Sequence, residues 1–453
     1  METLRVFTAF SGYAGQCMAR DRLAENFPGF TYELVGWSEI DKYAIQAHNA
    51  VYPQWADRNF GDISKIDWAE VPDFDLFTMS SPCQDFSSAG MQRGGAEGSG
   101  TRSSLLWECR KAILAKKPRY VVFENVKALV SAKFLPYFKK WQSELQSYGY
   151  QNFAQVLNAK DYGVPQNRER IFMISILDRE ASYHFPEPFK LEKRLKDVLA
   201  QNVDEKYYLS DRTVQSFAEP LRIPQATKQG YIEVPQGAVF DMSYPESTTR
   251  RGRVQDGGQV SPTLMAGGEA PCYFEGVSVH PNSHALEFKG QESIKQDAAP
   301  SLRATDYKAP HCVWEKGADE LKQMATEARK EPIEVTINEH GSLRPHKLDK
   351  AKTGISEFQV ENEEDTSSTL ISARPNKTYG YTTSYRIRKL TPRECFRLMG
   401  VTETDIDKIQ QSGVSQSQQY KMAGNSIVVD CLYHMFRKMF TETASESQQL
   451  SLF

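Results

Sequence analysis

The feature that most constrains this chain is a regular alternation, from Leu4 to about Ile176, of short apolar runs with segments of helical periodicity. Runs separated in this way specify a mostly parallel sheet flanked by helices, because the connecting helices cover both of its faces. The runs predict strands near 4–9, 33–37, 76–79, 120–123 and 171–176. Apolar spacing predicts helices over 15–27, 103–116 and 133–148.

The loops that follow these runs hold the residues with chemistry. Ser81-Pro82-Cys83-Gln84-Asp85-Phe86-Ser87 presents a proline-braced cysteine just beyond Leu76-Phe77-Thr78-Met79. A thiol at the end of a buried strand reads as a nucleophile. Phe123-Glu124-Asn125-Val126 follows Tyr120-Val121-Val122 and brings a carboxyl group to the same edge of the sheet. A cysteine with a carboxylic acid is the minimum set for attacking an electron-poor heterocycle. The first loop, Phe10-Ser11-Gly12-Tyr13-Ala14-Gly15, feeds a helix, and its glycines allow backbone to approach a ligand closely. Glu39 after the second run suits ribose hydroxyls, and Asp62-Ile63 suits an adenine ring. These intervals describe a nucleoside-bearing cofactor without choosing between a dinucleotide and a sulfonium donor.

At 453 residues, 25% charged and 40% hydrophobic, the chain is long enough for two domains of ordinary globular composition. No apolar run approaches the ~20 residues that span a bilayer, and the N-terminus lacks a signal peptide's pattern, so a cytoplasmic protein without membrane contact is expected. Seven cysteines are scattered and never in C-x-x-C spacing, which argues against a disulfide framework and against a metal site. The net charge of -3 neither supports nor excludes a nucleic-acid partner, which would have to be held in a locally basic cleft. From about 178 the texture changes. Residues 178–384 are richer in Gly, Pro, Ser and Thr and lack the alternation, as expected of an irregular, β-rich second domain. Helical patterning returns over 385–440, where Thr391 suits an N-cap, Pro392 the first helical position and Glu394 the capping-box acid.

Six motifs then stand in a telling order. They are Phe10-x-Gly12, Pro82-Cys83-Gln84-x-Phe86-Ser87, Glu124-Asn125-Val126, Gln166-Asn167-Arg168-Glu169-Arg170, Leu390-Thr391-Pro392-Arg393-Glu394 and Gly424-Asn425-Ser426. In this order the chain resembles the DNA (cytosine-5) methyltransferases of bacteria and phage over 1–177 and 385–440. The resemblance implies a Rossmann-like, S-adenosylmethionine-dependent α/β domain split in sequence around a target-recognition domain at 178–384, with the last part of the catalytic domain at 385–440. Thr8 and Ala14 depart from the family, which more commonly has aspartate and glycine there.

The resemblance also assigns roles. Cys83 would add to carbon 6 of a cytosine, so that carbon 5 attacks the methyl of S-adenosylmethionine, leaving S-adenosylhomocysteine. Glu124 would hydrogen-bond the ring, Arg170 would reach the base and Arg168 a backbone phosphate. Neither face of a stacked cytosine is open to such groups, so the base must be flipped out of the duplex. Phe10, Ser11, Gly12, Tyr13, Gly15, Glu39, Ile40, Asp62, Ile63, Pro82, Leu105, Asn425 and Ser426 would line the cofactor site. Gln84, Ser87, Gln92 and Arg93 would contact double-stranded DNA. Within the second domain, Arg250, Arg251 and Arg253 are candidates for phosphate or guanine contacts, or for a solvated basic turn. Two other readings share these motifs: a catalytically idle DNA-binding or replication-associated protein, and an RNA cytosine-5 methyltransferase. A monomer is expected.

The end of the chain carries a separate signal. Residues 441–448 have the composition of a flexible tether, ending in Gln449-Leu450-Ser451-Leu452-Phe453. This peptide resembles the motif with which bacterial replication proteins dock on the DNA polymerase sliding clamp, with Gln449 as anchor and Leu450, Leu452 and Phe453 for an apolar pocket.

Overall fold

A computed structural model describes residues 2–82, 86, 94, 97–209, 221–244, 247–265 and 270–281, the strands at 301–303, 335–337, 342–345, 355–360, 368–372 and 377–379, and residues 381–442. Six strands build the central sheet: β1 Leu4–Ala9, β2 Tyr32–Ser38, β3 Leu76–Met79, β4 Tyr120–Val126, β5 Gln151–Asn158 and β6 Glu169–Ile176. Their order is β2-β1-β3-β4-β6-β5. The first four are parallel, and β6 runs antiparallel to both β4 and β5. The fold is α/β with a mostly parallel sheet, as the alternation predicts. Every residue of β3 is buried, as are the last four of β1, which is why these strands read as continuous apolar runs.

The helices on this sheet are α1 Gly15–Asn26, α2 Lys42–Val51, α3 Cys109–Lys116 and α4 Leu135–Ser147. Four more follow late in the chain: α5 Pro392–Arg397, α6 Glu403–Gln411, α7 Gln416–Asn425 and α8 Val429–Arg437. The capping box at the start of α5 is formed: the Glu394 amide donates to Thr391 Oγ1 at 3.2 Å, and the Thr391 amide donates to Glu394 Oε2 at 2.7 Å. Helix α8 packs against α1, so the two ends of the described chain close one core.

The chain divides into two compact units. The first comprises 1–203, 239–272 and 390–453. The second comprises 204–238 and 273–389. Residues 178–203 and 239–272, which the change of texture groups with the second domain, pack with the first unit. The second unit is β-rich, with a four-stranded antiparallel sheet made by Val335–Ile337, Ser342–Pro345, Ile355–Val360 and Ser368–Ser372. No helix among the described residues is long and apolar enough to cross a membrane.

One glycine is demanded by packing. The pairing of β1 with β2 shifts register between Val6 and Phe7, setting Gly36 opposite the Phe7 ring. A Cβ on Gly36 would lie 2.7 Å from the Phe7 ring and 2.8 Å from Phe60. Phe7 in turn packs on Trp68, Phe74 and Phe77 with ring centroids 5.1, 5.4 and 6.0 Å away, so it has nowhere to retreat. Gly36→Ala is expected to lower stability by about 1–3 kcal/mol, the usual cost of overpacking a core. Denaturant midpoints of the two proteins check this, and equal midpoints would show that the ring cluster yields.

Candidate functional site

The first loop is built for close approach. Phe10, Gly12 and Ala14 all have positive φ, at 55, 57 and 80°, so left-handed residues alternate through the turn from β1 into α1. For Phe10 and Ala14 this conformation is costly and persists only where the surroundings enforce it. The turn brings the Gly12 amide to Glu39 Oε2 at 3.0 Å. Glu39 Oε1 accepts from the Ile40 and Asp41 amides at 2.8 and 2.9 Å. Three amides thus fix a carboxylate with about four acceptor positions, leaving roughly one for a ligand hydroxyl. Asn59 holds the backbone at this point, with Nδ2 donating to the Glu39 carbonyl and Oδ1 accepting from the Glu39 amide, both at 3.2 Å.

A cavity of about 450 Å³ opens at this turn. Phe10, Ser11, Gly12, Tyr13 and Gly15 border it from the first loop, Glu39 and Ile40 from the end of β2, and Asp62 and Ile63 from the following turn. Pro82, Leu105, Asn425 and Ser426 complete the set expected from the sequence, and Glu124, Arg168 and Arg170 border the same space. The donor set fits a nucleoside-bearing ligand. Ile40 is 68% exposed, an apolar face ready to be covered by a planar ring. Ser11 Oγ and Gln16 Oε1 are buried without hydrogen-bond partners, so polar groups at the start of α1 face the cavity unsatisfied. Asp62 is less available: its Oδ1 accepts from the Ser64 hydroxyl at 2.7 Å and the Ser64 amide at 3.0 Å, and these bonds hold its carboxyl below the ordinary range.

Glu124, on β4, borders this cavity and is only 8% exposed. Arg170 Nε lies 3.2 Å from Glu124 Oε1, because β6 runs antiparallel beside β4 and sets Arg170 opposite Val126. Burial pushes the Glu124 carboxyl up; Arg170 and then Arg168 pull it down, and burial prevails. The acid is therefore poised to carry a proton at a pH where an exposed glutamate has lost it. Asn125, 1% exposed, donates from Nδ2 to the Ser81 carbonyl at 3.1 Å and so ties β4 to the root of the loop that contains Cys83. Cys83, Gln84, Ser87, Gln92 and Arg93 lie outside the described residues, as do 449–453.

The arginines divide sharply. Arg168, expected to reach a backbone phosphate, is 2% exposed, and its guanidinium donates to the carbonyls of Leu264 at 3.0 Å, Gly424 at 2.9 Å and Ser426 at 2.6 Å. It is a positioning residue for the wall formed by Asn425 and Ser426. Arg253 is likewise fully buried, donating to the carbonyls of Asp241, Ser243, Tyr244 and Ser247, so it is not a surface contact. Arg250 pairs with Asp241 at 3.3 Å, and Arg251 is exposed.

Several residues at the site carry little or no sequence signal. Asp41 caps α2, accepting from the Tyr43 amide, and forms an ion pair with Lys421 of α7 at 2.6 Å; both border the cavity. An acid before a helix is readable as an N-cap, but nothing in the sequence pairs it with a lysine 380 residues later. Gln166, fully buried, donates to the Leu398 carbonyl at 2.7 Å and is visible beforehand only as part of a motif.

The C-5 cytosine-specific DNA methylase family model matches residues 4–441. An orphan methyltransferase, M.SPRI, of Bacillus phage SPR is 31% identical over 97% of this chain and 98% of its own length. The type II methyltransferase M2.ScrFI of Lactococcus lactis subsp. cremoris is 29% identical over 96% of this chain and 99% of its own. Among solved structures, the Entamoeba histolytica methyltransferase EhMeth superimposes with a TM-score of 0.53 at 15% identity, covering 98% of this chain and 99% of that one. Dnmt2 of S. pombe gives 0.52 at 17%, covering 97% and 99%. These two structures share the α/β fold.

The raised position of Glu124 has a consequence for stability. An unfolded chain ionises this residue near the ordinary value of about 4.3, the folded protein only at higher pH. The stabilisation contributed by its protonated form is complete below the ordinary value and is lost as pH rises through the raised one. Glu124→Gln, a neutral isostere, lacks this loss. Unfolding midpoints taken at about pH 4 and at neutral pH are expected to shift in favour of the variant at the higher pH; a constant difference would mean that Glu124 titrates as an exposed carboxylate does.

Proposed function

Because this chain belongs to the C-5 cytosine-specific DNA methylase family, and so is a DNA (cytosine-5) methyltransferase, we propose that it methylates carbon 5 of a flipped-out cytosine in a specific double-stranded sequence through a transient Cys83 bond to carbon 6. S-adenosylmethionine, when bound, supplies an electrophilic methyl group. Phe10, Ile40, Ile63 and Leu105 would hold its base, Glu39 its ribose, and Ser11, Gln16 and Ser426 its amino-acid end. The observation that carries this reading is the meeting, in one cavity, of the nucleoside-binding residues with Glu124 and Arg170.

The protein's own groups divide the work. Carbon 5 of cytosine is a weak nucleophile until carbon 6 is substituted. Sulfur from Cys83 adds to carbon 6, and the ring electrons move onto carbon 5. Negative charge that develops at the ring's N3 side is met by a proton on Glu124, which burial keeps available. Arg170, held against Glu124, orients that carboxyl and adds positive charge beside it. Once carbon 5 carries the methyl group, its proton passes to water and the sulfur leaves as the thiolate, which restores the aromatic ring. DNA recognition belongs to the β-rich second unit together with the 239–272 segment, and Gln84, Ser87, Gln92 and Arg93 serve as DNA contacts beside the nucleophile. The terminal pentapeptide 449–453 docks the enzyme on a bacterial sliding clamp as a short apolar anchor on a polar tether.

Two experiments test these parts separately. Duplexes containing 5-fluorocytosine in the recognised context, mapped first by bisulfite sequencing of DNA from expressing cells, are expected to trap wild-type protein covalently when methyl donor is present and to leave Cys83→Ala untrapped. Absence of adduct with the wild type would overturn the covalent route. Deletion of 449–453 is expected to abolish binding to a purified bacterial sliding clamp while methyl transfer to free DNA is retained. Unchanged clamp binding would remove the docking role.

A further inference from the structure

A second aromatic residue is held in the left-handed region, far along the chain from Phe10. Tyr244 has φ 54° and is 68% exposed. A bulky side chain at positive φ is strained, and a large exposed ring gains nothing from folding, so the position is doubly unfavourable for a residue with only a structural role.

The surroundings enforce this display. Phe240 bridges antiparallel to Val254, and the Asp241 amide donates to the Arg253 carbonyl at 2.8 Å, closing the base of a loop. The Arg253 guanidinium turns inward and donates to the Tyr244 carbonyl at 2.7 Å, among the contacts described above. Burying a guanidinium is costly unless it finds acceptors, and here four carbonyls of this one loop accept from its two terminal nitrogens. Arg250 lies over the Tyr244 ring, 5.3 Å from its centroid, and is itself fixed by Asp241. The exposed aromatic ring is therefore presented with a guanidinium against it. The segment that follows this loop leads to the start of β6: Ser261 bridges to Gln166, and Thr263 Oγ1 donates to the Asn167 carbonyl at 2.5 Å, next to Arg168.

We propose that Tyr244 is a DNA-contacting residue whose ring stacks on a nucleobase of the substrate, with Arg250 supplying positive charge beneath it. The inference rests on DNA being the substrate. A π face is common to every base, and an arginine beside it suits the adjoining phosphates, so this pair gives affinity at a fixed place in the site.

The test compares Tyr244→Ala and Tyr244→Phe with the wild type, each as the full chain. The measurements are the KM for a duplex containing the mapped target, the affinity for S-adenosylhomocysteine by calorimetry, and thermal unfolding. Tyr244→Ala is expected to raise the DNA KM by about 10- to 100-fold, the range for loss of one base–aromatic stack, with product affinity and unfolding unchanged. Tyr244→Phe is expected to stay within about 2-fold of the wild type, since the ring face is kept. An unchanged KM in Tyr244→Ala overturns the proposal, and so does a Tyr244→Phe defect equal to that of alanine, which would assign the effect to the hydroxyl. A wild-type protein that transfers no methyl to any DNA would instead overturn the substrate reading itself.

Discussion

One buried guanidinium joins the parts of this protein. Arg168 leads into β6, yet its three carbonyl partners lie 96, 256 and 258 residues further on. Two of those carbonyls, of Leu264 and Gly424, are met in buried contacts and the third in a part-buried one, and a single planar fork meets all three. Truncating Arg168 would strand them together, a loss of the kind that costs several kcal/mol because unsatisfied buried groups are expensive. Gln166 performs a parallel service two residues earlier, reaching the Leu398 carbonyl. A catalytic unit interrupted by a long insertion is in this way made continuous.

The chemistry at Glu124 follows from sheet topology. A wholly parallel arrangement would place the start of the next strand at the opposite edge. Because β6 is reversed, its first residues arrive where β4 ends, and Arg170 meets Glu124 there. The two opposing influences on the carboxyl, enclosure and a nearby cation, come from that one reversal. Enclosure is the stronger, so the carboxyl keeps its proton to a higher pH than an exposed glutamate does.

Much of this was legible in the residues, and the exceptions have physical causes. Continuous apolar runs mark β1, β3 and β4 because those strands are covered on both faces. β5, Gln151–Asn158, is a polar edge strand with two exposed residues at its centre, so its pattern matches a loop as well as a strand. Helix α2 is short and signals itself mainly through Asp41. The capping box at Thr391 and Glu394 is a local interaction within four residues, and it reads directly. The roles of Arg168 and Arg253 do not, since an arginine bound to main-chain carbonyls leaves no complementary acid in the sequence to find. The same residue type at Arg251 is exposed, and spacing alone does not separate the two cases.

The placement of α8 against α1 bears on how the enzyme comes into being on the ribosome. Gly15 opens the first helix, and a Cβ there would meet the Ser426 hydroxyl at 3.0 Å, so segments made far apart in time share a wall. Lys421, Asn425 and Ser426 emerge more than 400 residues after Gly15. A nascent chain therefore has its sheet long before it has a closed chamber for the methyl donor, and a prematurely terminated product lacks that side of the chamber altogether.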